Sequence, residues 1–446
     1  MKDIIKKIVI WKLNILAKMY LVRYKPVIVA VTGNVGKTST KEAIAVVLDG
    51  QKRVRSGKGN LNNEFGVPLT IIGDWSDDYY EAGNSSLFWI KVLFISFFRW
   101  FNYKNYPEVL VLEYGADKPG DIKRLCKKYK PHVSVVTAVG EIPVHVEFFQ
   151  SALGLAKEKS ELVKCLDGND YAVLNYDDQV VLDMKEKTKA KTMTYGFQDE
   201  AQVKVLNFDF RGDDNGRPLG VAFKISHQGA YLPAGRQAFV PVKIDGSLGK
   251  SQAYAAVAAA SVGLIFKMNL VDISEALSRY HGPKGRMKIL KGIKNTTIID
   301  DTYNASPAST HLALETLGSF LPAQAGPGRK VAVLGDMLEL GEYTEQAHRA
   351  AGDLAGSIVD VLVCVGLRAK FIADSAGNQM DQHNIYTFPT SEDARIKVQE
   401  LIKEGDIILI KGSQGMRMEK IVEEIMAEPL RKKELLVRQG QKWLTK

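Results

Sequence analysis

The stretch "VTGNVGKTSTKEA", Val31 to Ala43, follows the apolar run "PVIVA" and leads into a helical pattern. A buried strand, a glycine turn and the start of a helix would direct several backbone N–H groups at one point, and that point favours an anion. Gly33 and Gly36 allow the backbone to curl around phosphate oxygens, Lys37 can neutralise the outer phosphates, and the Thr38 hydroxyl can ligate magnesium. The stretch therefore predicts a nucleotide-phosphate site.

The predicted nucleotide contacts are consecutive in the chain: Gly33, Asn34, Val35, Gly36, Lys37, Thr38 and Ser39. The strict phosphate-loop motif has a further glycine five residues before Gly36, where this chain has Val31, so the motif is incomplete. A glycine turn that merely precedes a helix is the alternative. The lysine and threonine directly after the turn favour binding of nucleotide phosphates together with Mg²⁺.

Short apolar runs alternate with helical patterns along most of the chain, which predicts an α/β fold. The runs "PVIVAVTG", "EVLVLEYGA", "VSVVTAVG" and "YAVLNYDD" are typical of a mostly parallel sheet. Between about Gln202 and Asp245 the period changes to two, which predicts a small antiparallel patch. The glycines and proline of "HGPKGRM", His281 to Met287, predict a hinge, and a second alternating series follows it.

These patterns predict a central phosphate-loop domain followed by a Rossmann-like α/β domain. We expect a basic amphipathic helix over residues 1–25, the central ATP-binding domain over 26–285 and the C-terminal domain over 286–446. A chain of 446 residues is long enough for two or three domains, each with its own core.

The composition is that of an ordinary globular protein, with 46% hydrophobic and 25% charged residues. Cys126, Cys165 and Cys364 have no paired spacing, so neither a zinc site nor a disulfide framework is indicated, and a cytoplasmic setting fits. The formal net charge of +9 suits nucleic acid, a membrane surface or an anionic substrate. The lysines are spread along the chain without an RNA-binding signature, which argues against nucleic acid.

Two apolar stretches carry basic residues: Met1 to Pro26, and "SLFWIKVLFISFFRWF" from Ser86 to Phe101. The first has no small-residue cleavage site, which argues against a signal peptide. The second is interrupted by Lys91 and Arg99 and is shorter than the roughly 20 residues of a membrane span. Both are predicted to be helices, which either pack on the protein's own core or lie flat on an anionic membrane surface.

Several motifs resemble the Mur ligases, the ATP-dependent amide ligases of peptidoglycan assembly. The stretch "TGNVGKTSTKE" is similar to their ATP loop. Five further stretches resemble the members that join D-alanyl-D-alanine to a UDP-muramoyl tripeptide: "GNLNNEFGVPLTI" (59–71), "VLEYGADKPGDI" (111–122), "IIDDTYNASPAS" (298–309), "VLGDMLELGEYTEQAH" (333–348) and "KGSQGMRMEKIV" (411–422). The resemblance extends from Pro26 to about Met426.

Candidate metal ligands lie in the central domain. Glu113 ends a predicted buried strand, where open parallel sheets bind ligands, and its carboxylate suits Mg²⁺. The resemblance implies that His145 helps to bind a second metal ion and that Lys159, in "GLAKEKSELV", is carbamylated. Carbamylation turns a neutral amine into an anion on a long arm. The resemblance and these arguments give Thr38, Glu113, His145 and Lys159 as metal ligands and Lys37, Lys159 and Arg286 as catalytic residues.

From the C-terminal domain, the resemblance implies that Arg286, Asp301 and Asn304 reach the nucleotide. An arginine on a movable domain would bring its planar donors onto phosphate when the cleft closes. Asp336 and His348 belong to a signature of this group to which we assign no chemical role. The implied substrate contacts are Asn60, Asn62, Asn63 and Lys411.

The implied reaction has two steps. A substrate carboxylate attacks the γ-phosphate of ATP to give an acyl phosphate, and an amine then displaces phosphate to form an amide, leaving ADP and phosphate. The implied substrates are a muramoyl peptide and D-alanyl-D-alanine. Two alternatives stay open: another Mur-type amide ligase with a different acyl substrate, and a non-catalytic nucleotide-binding regulator. Intact Lys37, Thr38, Glu113, Lys159 and Arg286 argue against the regulator.

The chain departs from the family pattern at two places. Family members usually carry a uridine-nucleotide domain of roughly 80 residues or more ahead of the ATP loop, whereas 32 residues precede Gly33 here. We therefore expect either that the two apolar helices supply substitute contacts or that the acyl substrate is simpler or membrane-held. Ser251 and Ala255 stand where the family tends to have histidine and asparagine, so the adenine contacts are expected to differ.

Overall fold

A computed structural model of the chain describes residues 2–59, 61–82, 85–140, 152–213, 217–231, 237–320, 328–440 and 443. Within these residues there are two β-sheets, one of nine strands and one of six. Helices cover both faces of each sheet. The predicted α/β fold is confirmed.

The first sheet has the strand order β2-β3-β1-β4-β5-β6-β7-β8-β9. Its strands are β1 Val27–Thr32, β2 Val54–Ser56, β3 Val109–Glu113, β4 Val133–Val136, β5 Tyr171–Asn175, β6 Lys191–Gly196, β7 Val203–Gly212, β8 Pro218–Tyr231 and β9 Gln237–Asp245. Pairs from β2 through β7 are parallel, whereas β8 is antiparallel to both β7 and β9. The mostly parallel sheet and its antiparallel patch are therefore confirmed.

Helices pack on both faces of this sheet. They are α1 Lys2–Tyr24, α2 Lys37–Asp49, α3 Gly66–Ile72, α4 Ser76–Ala82, α5 Ser86–Phe101, α6 Asp121–Lys128, α7 Ala152–Lys164, α8 Gln179–Leu182, α9 Lys250–Ile265 and α10 Leu270–Leu277. None of the helices in the described ranges combines the length and apolar character needed to cross a bilayer.

Strand β1 lies inside the sheet, between β3 and β4. Its side chains alternate between two cores: Val29 and Val31 pack with α2 and α9, whereas Ile28 and Ala30 pack with α1, α3 and α5. Burial on both faces explains why β1 is a continuous apolar run in the sequence. The phosphate loop therefore starts from a strand that is held on both sides.

The second sheet has the order β10-β11-β15-β12-β13-β14, and only the β10–β11 pair is antiparallel. Its strands are β10 Lys288–Lys291, β11 Thr297–Asp301, β12 Lys330–Gly335, β13 Val361–Val365, β14 Ile385–Phe388 and β15 Ile407–Lys411. Its helices are α11 Pro307–Gly318, α12 Thr344–Ile358, α13 Lys370–Ala376, α14 Ser391–Leu401, α15 Glu419–Ile425 and α16 Lys432–Leu435. This is the predicted Rossmann-like unit; the exact domain limits stay a prediction.

The segment between α10 and β10 joins the two sheets. Gly282, Gly285 and Met287 have φ values of 63°, 64° and 54°, so the chain turns sharply there. The Gln252 side chain, at the start of α9, donates a hydrogen bond to the Arg286 carbonyl (3.1 Å). The predicted hinge is thus a short, curved joint that rests against the first unit.

Candidate active site

The loop between β1 and α2 is a tight turn that depends on its two glycines. Gly33 and Gly36 have φ values of 144° and 85°. A Cβ atom at Gly33 would lie 2.0 Å from Thr137 Oγ1, so only glycine fits there. Thr137 follows β4, and its hydroxyl donates a hydrogen bond to the Val35 carbonyl (2.7 Å). The end of β4 therefore braces the phosphate loop.

The Lys37 ammonium is held inside this loop. Its Nζ atom donates hydrogen bonds to the carbonyl oxygens of Gly33 (2.8 Å) and Asn34 (3.1 Å). Burial lowers the pKa of Lys37, and the nearby Glu113 carboxylate opposes that change. The ammonium therefore lies at the glycine turn, and its role toward phosphate stays a prediction.

Glu113 and Thr38 meet at the carboxyl edge of the sheet. The Thr38 hydroxyl donates to Glu113 Oε2 (3.0 Å), and the Asn62 side chain donates to Glu113 Oε1 (3.2 Å). The contact arises because β1 and β3 are parallel neighbours, with Val31 opposite Glu113. Burial opposes ionisation of Glu113, but the Lys41 and Lys37 charges and these two hydrogen bonds hold its pKa below the ordinary value.

This pair fits a magnesium ion. A carboxylate and a hydroxyl are the hard oxygen ligands that Mg²⁺ prefers, and nucleotide phosphates would supply others. In the described ranges no three His, Cys, Asp or Glu side chains gather in a metal-binding group. His145 lies outside the described residues, so its predicted metal role stays a prediction.

Lys159 is buried on α7, and the preceding residue fixes that helix. Burial, followed by the Lys37 charge, lowers the pKa of Lys159 to about 7. Glu158 accepts hydrogen bonds from the backbone N–H groups of Gly120 (2.7 Å) and Ile122 (2.8 Å). The motif "VLEYGADKPGDI" thereby fixes the helix that carries Lys159. At pH 7 about half of the amines with such a pKa are neutral, and the neutral amine is the form that reacts with carbon dioxide.

Asp301 and Lys411 lie opposite each other at the ends of β11 and β15. Lys411 Nζ donates to Asp301 Oδ2 (2.6 Å) and to the Asn304 carbonyl (3.0 Å). Both side chains are more than nine-tenths buried. The sequence assigns Asp301 and Asn304 to the nucleotide and Lys411 to the substrate, whereas the structure brings all three into one cluster.

Arg286 faces the phosphate loop from the second unit. Together with Asp301 and Lys411 it lines a cavity whose opposite wall includes Gly36 and Ser39. Its guanidinium lies 4.0 Å from the centroid of the Tyr303 ring. Its Nε is buried and has no hydrogen-bond partner within the described part of the chain. A stacked guanidinium with an unused donor beside a phosphate loop suits an anionic ligand.

Several functional positions escaped sequence reasoning. Lys41, one helical turn after Lys37, is buried and donates hydrogen bonds to the carbonyls of Gly57 and Gly59. It holds the segment that leads to the predicted substrate asparagines. The spacing of the two lysines is a signal that could have identified it. Lys250, Ser251, Ser309 and Thr316 also line the cavity between the two units.

The predicted substrate asparagines divide into three cases. Asn62 contacts Glu113, as described above. Asn63 Oδ1 accepts from the N–H groups of Phe65 and Gly66, both at 3.1 Å, and so starts α3. Asn60 lies outside the described residues. The substrate roles of all three stay predictions.

Asp336 and His348 hold the loop after β12. Asp336 Oδ1 accepts from the backbone N–H groups of Arg368 (3.0 Å) and Ala369 (2.7 Å). His348 Nε2 accepts from the Met337 N–H (3.0 Å), while its Nδ1 donates to the carbonyl one turn earlier. Burial lowers the pKa of His348, in keeping with a neutral ring. The two side chains of the unassigned signature thus hold nearby backbone segments in place through hydrogen bonds.

The fold is that of a nucleotide-dependent enzyme built from two α/β units, with a glycine turn and a lysine after the first strand of the first unit. The sequence pattern of the Mur ligase middle domain matches residues 99–260, and that of the Mur ligase glutamate ligase domain matches residues 285–414. The chain belongs to the Mur ligase family.

Curated relatives are similar over most of their length. The UDP-N-acetylmuramoyl-tripeptide–D-alanyl-D-alanine ligase of Bacillus subtilis (strain 168) is 29% identical over 416 residues, which cover 93% of this chain and 79% of the relative. The enzyme of that name from Escherichia coli (strain K12) is 27% identical, covering 89% of this chain and 76% of the relative.

A solved structure shows the same architecture. The MurF ligase of Thermotoga maritima in complex with ADP superposes with a TM-score of 0.73 and 25% identity. The match covers 95% of this chain and 84% of that one. The nucleotide in that complex agrees with a nucleotide-dependent ligase.

Proposed function

We propose that this chain joins D-alanyl-D-alanine to a UDP-muramoyl tripeptide at the expense of ATP. The observation that carries the proposal is the hydrogen bond from Thr38 to Glu113, which joins the phosphate loop to a buried, ionised carboxylate. Beside that contact lies Lys37, and Arg286 faces the loop from the other unit. We infer the substrates from the names of the relatives, and we infer the chemistry from the residues of the site.

In the first step the substrate carboxylate oxygen attacks the γ-phosphorus of ATP, and ADP leaves. The N–H groups at the start of α2 and the Lys37 ammonium orient the phosphates and neutralise their charge. Arg286 adds planar donors from the second unit. Thr38 and Glu113 would hold Mg²⁺, which when bound supplies further neutralisation of phosphate charge.

In the second step the amine of D-alanyl-D-alanine attacks the acyl carbon. The C–O bond to phosphate breaks, the amine loses a proton and inorganic phosphate leaves. Asn62, fixed on Glu113, and the cluster of Lys411 with Asp301 face the region where the acyl group would lie. We further propose that Lys159 is carbamylated, because its depressed pKa leaves a neutral amine beside Lys37.

The test is phosphate release from ATP with defined substrate pairs. The proposal predicts release that requires both the muramoyl tripeptide and D-alanyl-D-alanine. Release with a different acyl substrate or amine would identify another Mur-type ligase. Absence of turnover with every pair, despite ATP binding, would identify a regulator.

Replacing Lys37 and Glu113 tests the site itself. We expect Lys37→Ala and Glu113→Gln to lower kcat by about 100-fold or more, because each removes charge placed for the transferred phosphate. Glu113→Gln should also raise the Mg²⁺ concentration needed for half-maximal release. Glu108→Gln, which changes a half-buried surface glutamate near the start of β3, serves as the control and should leave kcat unchanged. Full activity of either site variant would contradict the proposed mechanism.

A further inference from the structure

Helix α1 has apolar residues on two opposite sides. Its inner side, Leu13, Leu16, Ala17 and Tyr20, is buried in the core of the first unit. At about 100° per residue, a second row lies on the opposite side of the helix. That row is Ile4, Ile8, Trp11, Ile15 and Val22, with exposed fractions from 41% to 66%. A helix that only covered the core would be polar on this outer side.

Helix α5 repeats this arrangement. Its inner residues, Phe88, Val92 and Ser96, are buried. Its outer row is Leu87, Ile90, Phe94, Phe97, Phe98 and Phe101, with exposed fractions from 43% to 77%. Lys91 and Arg99 are its only charged residues. The most apolar side of α5 therefore faces solvent.

The two outer rows face the same direction. Both inner sides pack into the core that contains Ile28 and Ala30, so both outer rows point away from it. The helices are also fastened to each other: the Tyr20 hydroxyl donates to the Ser96 carbonyl (2.7 Å), and the Tyr24 hydroxyl donates to the Trp100 carbonyl (2.8 Å). We call the two rows together the outer helix face.

The surroundings of the outer helix face are basic. Residues 4–25 and 86–107 contain nine lysines or arginines and no aspartate or glutamate. Among these, Lys12 and Lys18 flank the α1 row on either side. Two carboxylates beside these segments are paired with cations: Asp78 with Lys91 (2.8 Å), and Glu108 with Arg53 (3.6 Å). A partner for this face would therefore be apolar and negatively charged.

A cavity of about 390 Å³ lies at the shared end of the two helices. Arg23, Arg53 and Lys104 line it, together with Phe101 of the outer helix face and Glu108. Three cations around one carboxylate leave positive charge beside the apolar row. Such a cavity would attract the negatively charged phosphate of a lipid headgroup.

We propose that the outer helix face binds the surface of an anionic lipid bilayer, with both helices lying flat in the interface. Isoleucine, phenylalanine and tryptophan side chains would enter the boundary between headgroups and acyl chains, while lysines contact lipid phosphates. The inner sides stay packed on the sheet, so the helices do not leave the protein. The proposal does not depend on the identity of the substrates, because the outer helix face lies outside the cavity between the two units.

The test is flotation of the full chain with vesicles, in the absence of substrates. We expect binding to vesicles of phosphatidylcholine with phosphatidylglycerol at low salt, weaker binding at high salt, and little binding to phosphatidylcholine alone. The double variant Phe94→Ser/Phe98→Ser should bind at least about tenfold more weakly. Leu367→Ser/Leu430→Ser, which changes two exposed leucines of the second unit, is the matched control and should bind like the unchanged protein.

Two further measurements keep the result interpretable. Lys12→Glu/Lys18→Glu should weaken binding by about fivefold or more per charge, whereas Lys185→Glu/Lys187→Glu should not. Trp11 fluorescence should shift to the blue on vesicle binding, and Trp11→Phe should lose most of that shift. Failure of the chain to float with anionic vesicles would overturn the proposal. So would equal binding by the phenylalanine double variant, or a stable dimer in sedimentation that this variant dissociates.

Discussion

Lys37 and Lys159 are two buried lysines on different helices, and both interact with the same carboxylate, Glu113. Burial lowers the pKa of both lysines, and the Lys37 charge lowers the pKa of Lys159 further. Glu113 in turn stays ionised because Lys37 and Lys41 are near. Each residue therefore sets the protonation state of its neighbours, and a substitution at one is felt by the others.

The depressed pKa of Lys159 makes stability depend on pH. In the unmodified protein the folded amine releases its proton near pH 7, whereas the unfolded amine holds it to about 10.5. Between these values the unfolded chain binds more protons, so the free energy of unfolding rises with pH. Below pH 7 both states are protonated, and the full cost of the buried charge remains.

Lys159→Arg tests the carbamate. Arginine keeps its proton and forms no carbamate, so we expect kcat to fall by about 100-fold. Removal of bicarbonate should lower the activity of the unchanged protein, most strongly below pH 7, where the amine is protonated. Phosphate release and the ¹³C NMR signal of labelled carbamate are the readouts. Lys157→Arg, an exposed residue on the same helix, is the control. Full activity of Lys159→Arg would rule the carbamate out.

At the scale of elements, the loops after β11, β12 and β15 are joined into one layer. The Ser413 N–H donates to the Asp336 carbonyl (3.0 Å), and the Ser413 hydroxyl accepts from the Leu338 N–H (2.8 Å). The Asp336 side chain then fixes the start of α13, as described above. The loop that follows Lys411 is thus held in position because the neighbouring loop after β12 binds its backbone and its Ser413 side chain.

Asp336→Ala would leave two backbone donors without their acceptor: the buried N–H of Ala369 and the partly buried N–H of Arg368. We expect the free energy of unfolding to fall by about 2 kcal/mol, measured by urea denaturation of the full chain. Asp199→Ala, which removes an exposed carboxylate, is the control and should cost far less. An unchanged urea midpoint for Asp336→Ala would show that this side chain does not hold the loop.

At the scale of the whole molecule, the site lies between two sheets that meet through a short joint. The first unit supplies the phosphate loop and the carboxylate, and the second supplies Arg286 and the pair of Asp301 with Lys411. In the proposed mechanism the nucleotide contacts both units. Their relative position therefore decides whether the cationic groups reach the phosphates.

Arg286→Ala should lower kcat by about 100-fold with little change in stability, because its Nε makes no hydrogen bond within the described residues. Arg286→Lys should recover only a small part of the lost kcat, since an ammonium lacks the planar donors of a guanidinium. Phosphate release with both substrates is the measurement. Arg279→Ala, an exposed arginine just before the joint, should be unaffected. A kcat for Arg286→Ala close to that of the unchanged protein would exclude the predicted role.

Local patterns predicted much of this molecule, and non-local pairing explains what they missed. The strand, turn and helix around Gly33 are contiguous in sequence, so the phosphate loop was predictable. That Thr137 lies beneath Gly33 depends on the neighbouring position of β1 and β4, which no local pattern contains. The pairing of Asp301 with Lys411 likewise depends on the order of distant strands. Lys159 and Arg286 have no local signal, and only the family resemblance identified them.

The joint between the sheets has one further consequence. Arg286 is part of the joint itself, next to Met287 with its left-handed backbone. A change of angle at this point would swing the guanidinium through an arc, as well as widening the cleft. In the proposed mechanism Arg286 promotes γ-phosphate transfer, so an open cleft would withdraw it and slow ATP hydrolysis in the absence of the other substrates. ATP hydrolysis without the other substrates should therefore rise in variants whose joint is held in the closed conformation.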